Sequence, residues 1–187
     1  MIALLTSLLL SPMPVTGAVL NPYAVDNIHS SVMFRIKHLN VSYTYGRFNQ
    51  ISGSFLIDSA DASKSTLTVE IKTDSIDTNS ADRDKHLKGP DFFNVKQFPT
   101  STFKSTSVKA GEGGKFEVTG DLTMCGVTKP VTFTLTKTGE GESPFKDYRQ
   151  GFEANFTIKR SDFGIKFMPE MLEDSVWLLI SVEGARK

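Results

Sequence analysis

From residue 121 to 136 the chain reads DLTMCGVTKPVTFTLT. Leu122 and Met124 share parity with Phe116 and Val118. Beyond Gly126, Val131, Phe133 and Leu135 face one way while Thr132, Thr134 and Thr136 face the other. A period of two carried by Val, Thr and Phe marks strands with one buried face. Gly126 and Pro130 punctuate the pair and predict the turn between two neighbouring strands.

The same pattern recurs along the chain. Val32, Phe34 and Ile36 alternate with Arg35 and Lys37 over 31–38, and Leu67, Val69 and Ile71 over 65–73. Phe152, Ala154, Phe156 and Ile158 share one face of 148–160, and Val176, Leu178, Ile180 and Val182 one face of 175–184. Further strands are predicted at 23–26, 43–58, 100–108, 115–123 and 127–137. Within 43–58, Phe48 and Phe55 have opposite parity, and a bulge near Gly53 would return both to one face. The period changes at 80–88, SADRDKHLK, which is charged, lacks β-branched residues and opens with an N-cap type Ser and an early Asp. This predicts a short helix ending at Gly89-Pro90, with a second helical turn at 91–95, laid across one end of the sheet. A turn at 111–114, a polar loop at 139–147 and an irregular stretch at 161–172 complete the chain.

The fold class is therefore all-β, with about eight main strands of ~8–12 residues and a helical insertion at about 80–95. A closed eight-stranded antiparallel β-barrel removes exposed edges and leaves room for side chains or one small ligand. A two-sheet sandwich satisfies the same strand count. Residues 19–187 form one domain. Residues 1–18 differ: 1–10 are almost wholly apolar, Pro12 and Pro14 break the run, and Thr16-Gly17-Ala18 supplies small residues suited to cleavage. This reads as a secretory signal cut near Ala18, with an uncleaved anchor as the alternative. No Lys or Arg leads the run, which points to a true start further upstream.

Composition narrows the function. The 187 residues carry 21 Lys plus Arg against 21 Asp plus Glu, so neither nucleic acid nor an anionic membrane is favoured as a partner, and any membrane contact is transient. The 14 Phe suit a dry core or an apolar pocket. Cys125 is the one cysteine, so an exported chain must be stable without an internal disulfide. His29, His38 and His86 show no metal-ligand spacing, and no phosphate-cradling glycine loop or GxSxG is present. The expectation is no catalysis, no metal and no cofactor.

Several motifs stand in a fixed order: His29-Ser30-x-Val32-x-Phe34 with Lys37-His38, Gly46-Arg47-Phe48, Gly53-x-Phe55-x-Ile57-Asp58, and Ile76-Asp77-Thr78. Arg83-Asp84-x-His86-Leu87, Asp91-Phe92-Phe93-Asn94-Val95 and Pro99-Thr100-Ser101-Thr102-Phe103 follow. Then come Gly120-Asp121-Leu122-Thr123, Gly126-Val127-Thr128-Lys129-Pro130-Val131 and Arg160-Ser161-Asp162-Phe163-Gly164-Ile165. Together they resemble the YceI-like family over 23–182. The resemblance implies a lipocalin-like antiparallel β-barrel, periplasmic or secreted in a bacterium, that holds a polyisoprenoid-type lipid. Transport, storage and stress protection are the purposes open to such a protein. Met124-Cys125 departs from the family's usual Ile and basic residue. The Met-rich stretch 167–172 is a second departure, one that suits an irregular apolar guest.

The candidate ligand-binding residues are Val32, Phe34, Ile36, His38, Phe48, Phe55, Phe103, Phe152, Phe156, Arg160, Leu178 and Ile180. The apolar ones share inward parity and would line one cavity, or fill the barrel as in small closed ones. Arg160 either caps a barrel end, paired with Asp162 or another carboxylate, or contacts a phosphate or quinone head group. Each buried methylene of a guest gains ~0.8 kcal/mol. A barrel of ~10-residue strands tilted ~40° is ~25 Å tall, so a long prenyl chain must fold back or protrude. The function expected is a non-catalytic carrier, monomeric or homodimeric, of a long isoprenoid lipid (polyprenyl, prenyl pyrophosphate or quinone type). The alternatives are an enzyme acting on a lipophilic ester or prenyl substrate through His38 or His86, and a packed barrel that recognises a protein.

Overall fold

The structure, a computed structural model, describes residues 21–186. The expected signal segment 1–18 lies outside the described residues. The elements are β1 (Tyr23–Val25), β2 (Ser31–His38), β3 (Ser42–Phe48), β4 (Ile51–Leu56), β5 (Thr66–Lys72), β6 (Ile76–Asp77), α1 (Ala81–Leu87), β7 (Thr100–Ala110), β8 (Lys115–Met124), β9 (Val127–Glu142), β10 (Tyr148–Lys159) and β11 (Leu172–Arg186). All pair antiparallel, and β11 pairs with both β1 and β2. β4 answers β1 as β3 answers β2, so β1–β2 and β3–β4 are each one long strand broken at a corner. With β5 and β7 to β11 they make a closed eight-stranded barrel. The sandwich alternative falls away, because β1 joins β4 to β11 and completes the ring.

The corners are fixed by polar side chains. Asn27 Oδ1 accepts from the N–H of Ile51 at 2.7 Å, and Ser30 Oγ accepts from the N–H of Glu183 at 3.0 Å. The parity switch expected at Gly53 falls instead at Asn49-Gln50. These two leave the ladder and bond to Ser75, so Phe48 and Ile51, three apart, both point inward. Gly53 stays in register opposite Val69 at φ +142°, where a Cβ would sit 2.1 Å from the Thr68 carbonyl oxygen.

The β8–β9 turn is Cys125-Gly126, at φ +51° and +75°, a two-residue hairpin of the I′ kind. Pro130 lies within β9 opposite Asp121 rather than in the turn. The β9–β10 ladder runs only from Tyr148↔Glu142 to Ala154↔Leu135, so Pro130 sits in a stretch with no partner on the β10 side, the kind of edge where sheets accommodate proline. β9 also runs on to Glu142, and the loop expected at 139–147 shrinks to 143–147. Ser80 is the residue before α1, but its side chain makes no cap bond. Asp84 reaches back instead, accepting from the N–H and Oγ1 of Thr78 at 2.9 and 2.5 Å. The 91–95 stretch forms successive turns rather than helix, with the N–H of Val95 on the Lys88 carbonyl.

One end of the barrel is filled. Tyr23, Phe55, Leu67, Val108, Phe116, Val118, Leu135 and Phe152 pack there as one cluster, with Val118 0% and Phe152 2% exposed. Phe55 stacks on Tyr23 and meets Phe152 edge-on, both at 5.3 Å. Outside this floor, Arg149 donates to Asp26 at 2.8 Å, to Asp147 at 3.2 Å, and to Glu183. His29 joins Asp26 at 2.9 Å.

Candidate functional site

Above the floor the interior is hollow. A cavity of about 400 Å³ opens between the upper parts of the strands, within the ~300–1,000 Å³ range of small-molecule sites. Its wall is the continuation of the same inward faces: Val32, Phe34 and Ile36 of β2, Val69 and Ile71 of β5, Phe103 of β7, Phe133 of β9, Phe156 and Ile158 of β10, and Val176, Leu178 and Ile180 of β11. Phe133 and Phe156 stack at 4.7 Å, and Phe34 and Phe48 tilt together at 5.8 Å. Many of these side chains are only half-buried although they point inward, since they face open space rather than one another.

Two irregular segments frame the mouth. The first is the 78–98 insertion, which follows β6 and covers the side where β3 rises above its pairing with β6. It brings Leu87, Phe92 and Phe93 into the cavity wall, and Phe93 packs edge-on against Phe48 at 5.4 Å. The second is the β10–β11 connection, which contributes Ile165 and Met168 beside Leu172 at the start of β11. The two segments meet in a trio of rings: His86 lies 5.1 Å from Phe92 and 5.3 Å from Phe167, and Phe92 lies 5.6 Å from Phe167. Cys125 rests beneath the first segment, its thiol 3.6 Å from the Phe92 carbonyl, and burial pushes its pKa up to about 11. A thiol so placed packs; it does not attack.

Arg160 is 5% exposed and shapes the second segment. Its guanidinium donates to four carbonyls, those of Glu173 (3.1 Å), Ile165 (3.1 Å), Phe167 (2.7 Å) and Leu172 (3.1 Å). Burial pulls its pKa downward, and the four carbonyl dipoles hold the charge in place. The expected partner Asp162 is exposed and forms no ion pair with it among the described residues. The nearby acid is Asp174, which accepts from the Ser161 N–H and Oγ at 3.0 and 2.8 Å. Arg160 borders the cavity, but four of its five N–H groups are already committed to backbone.

Of the twelve candidate residues, Val32, Phe34, Ile36, His38, Phe48, Phe103, Phe156, Arg160, Leu178 and Ile180 border the cavity. Phe55 and Phe152 do not. They belong to the packed floor, because the opposing strands present Tyr23 and Phe116 at their level and leave no space between. Parity alone missed the contribution of the insertion, whose signal was the Phe92-Phe93 doublet inside a charged segment. It also missed the cluster of Asp26, His29 and Glu183, whose ligand atoms lie within 4.8 Å of one another. Glu183 arrives there from the far end of the chain. The Arg149 guanidinium bonds to both carboxylates and takes the place a cation would need.

A closed antiparallel barrel with a packed floor and an apolar chamber above it is of the lipocalin-like class. The chain belongs to the YceI-like family, whose domain model, described as YceI-like domain, matches residues 23–184. It is 50% identical over 159 residues to a UPF0312 protein of Pseudomonas aeruginosa, covering 85% of this chain and 83% of that one. Its fold is similar to the crystal structure of Burkholderia cenocepacia BcnA, with TM-score 0.79 and 27% identity over 86% of this chain and 99% of the other. A polyisoprenoid binding domain from Saccharophagus degradans shares the fold at TM-score 0.67 and 15% identity, over 88% of this chain and 98% of that domain.

Proposed function

We propose that this protein is a non-catalytic binder that sequesters a long-chain isoprenoid lipid in the upper chamber and works outside the cytoplasm, in the periplasm or beyond. The observation that carries this reading is the hollow itself. A barrel that packs Phe55 against Phe152 at one end keeps Phe34, Phe156 and Leu178 apart at the other, which forfeits contact energy unless a guest restores it. Each isoprenoid carbon buried there contributes ~0.8 kcal/mol per methylene, so a few units offset the cost of association. The polyisoprenoid-binding domain with the same fold supports the choice of guest class.

The reading as a non-enzyme is supported by what the polar groups at the mouth already do. His86 Nε2 is bonded to Asp91 at 2.9 Å, and Thr78 Oγ1 is shared between Asp84 and Arg83. Thr78 is committed as a bridge between those two, and among the described residues no hydroxyl or thiol is hydrogen-bonded to the His86 ring to serve as its nucleophile. Mass spectrometry of organic extracts of natively purified protein tests the proposal. A prenyl-chain lipid at near-stoichiometric amount is expected. Protein that carries none, and takes up none when offered prenyl alcohols, would overturn it.

A further inference from the structure

The sequence offered Arg160 as a head-group contact, yet that guanidinium is spent on four carbonyls. A second one stands at the same cavity with its fork open. Arg83, in α1, lines the cavity and is held at its near edge by Thr78: Nε donates to Oγ1 at 2.7 Å and Nη2 to the carbonyl oxygen at 2.6 Å. Thr78 is fixed in turn by Asp84, which bonds its N–H and hydroxyl. The carboxylate thus orients Arg83 through Thr78 without pairing with it. Among the described residues no acid lies within 4.0 Å of the Arg83 guanidinium. Two of its five N–H groups are bound, and the Nη1–Nη2 edge keeps a parallel pair of donors, the geometry that takes two oxygens of one anion. The lining around it is overwhelmingly apolar, with Leu87 and Phe34 among its members.

We propose that Arg83 is the head-group anchor of the chamber, and that its ligand is an amphiphile with an oxyanion head, a phosphate or carboxylate, set at the mouth with the chain running down between the Phe and Leu walls. This rests on the lipid-binding reading above and specifies it. An alcohol head can accept one hydrogen bond from the open fork, whereas an oxyanion takes both donors as charge-assisted bonds at the exposed rim.

The test compares three ligands with one chain and three heads: geranylgeranyl monophosphate, geranylgeranoic acid and geranylgeraniol. Each is titrated against wild type, Arg83→Gln and Arg83→Lys by displacement of an apolar dye. Wild type is expected to bind the phosphate roughly 10- to 100-fold more tightly than the alcohol, with the acid between, and to lose part of that preference in high salt. Arg83→Gln is expected to abolish the preference while leaving alcohol affinity within about twofold, and Arg83→Lys to keep only part of it. Equal affinities for the three heads in wild type, or a preference that survives Arg83→Gln, would overturn the anchor while leaving the lipid site standing. A uniform loss of all three ligands in Arg83→Gln would show a structural role for the residue and also overturn the anchor. Failure of wild type to bind any of the three would overturn the lipid site, and the anchor with it.

Discussion

Phe152 and Phe156 stand four residues apart on the same face of β10, and they do different things. Phe152 is 2% exposed, boxed by Phe55 at 5.3 Å and Phe116 at 6.4 Å. Phe156 stacks on Phe133 on one side and looks into open space on the other. The strand supplies the same side chain to both levels; the neighbours differ. At the floor, β1, β4 and β8 send Tyr23, Phe55 and Phe116 to meet across the axis. Above it the opposing walls do not reach one another. One barrel thus holds a stability half and a binding half, divided at about the level of Ala154 and Val182, which touch both.

The sharpest way to break this comparison is to truncate both rings. Phe152→Ala should cost about 3–5 kcal/mol of unfolding free energy in denaturant titration, and Phe156→Ala less than about 2, since the second site has already forgone part of its contacts. Equal losses would mean that the hollow is not hollow in solution. Arg160→Gln comes next. It strips donors from carbonyls of the β10–β11 connection and should destabilise by about 3 kcal/mol. Any fall in guest occupancy should track that loss of stability, and full occupancy in the folded fraction separates rim architecture from head-group contact.

Asp26 probes the outside of the floor. Its hydrogen bond to His29, with help from the Ile28 N–H and Arg149, holds its pKa down to about 2 against an ordinary 3.8. The folded form therefore resists protonation, and its contribution is complete above pH ~4 and drains away as pH falls toward 2. Asp26→Asn should lower stability by about 1–2 kcal/mol at neutral pH and flatten the acid limb of the stability curve over that interval. The smallest effect is expected at Cys125. With its pKa near 11 rather than 9.0, it holds roughly a hundredfold less thiolate at pH 8 than a free cysteine, so iodoacetamide should label it slowly until the insertion above it is displaced.

Much of this was legible in the sequence, for a reason that particular residues make plain. Alternation tells which face of a strand turns inward, and Val32, Phe34, Leu178 and Ile180 do turn inward. It carries no information on whether the far wall reaches across, and so Phe55 and Phe152 were grouped with residues that border a void. The corner at Asn49-Gln50 escaped notice because it is made by bonds to Ser75, a residue distant in the chain. The role of Arg160 was half readable: its position at the end of β10 showed from parity, but its four carbonyl partners come from a loop without periodicity. Arg83 stood in the sequence as one charge of the 80–88 segment, since what distinguishes it is the way Thr78 occupies one edge of its guanidinium and leaves the other free.

Above the Ala154–Leu135 pair, β9 and β10 run on without a backbone ladder between them. What closes the wall there is the stack of Phe133 on Phe156, a contact of about 0.5–1.5 kcal/mol beyond its buried area, together with the turn at 160–163, which packs against both strands. Sideways parting lower down must unzip main-chain bonds from Tyr148 to Ala154; at this seam it slides one ring off another. Along this line the chamber wall is thereby held by side-chain packing instead of main-chain bonds, so it can part without a ladder being unzipped.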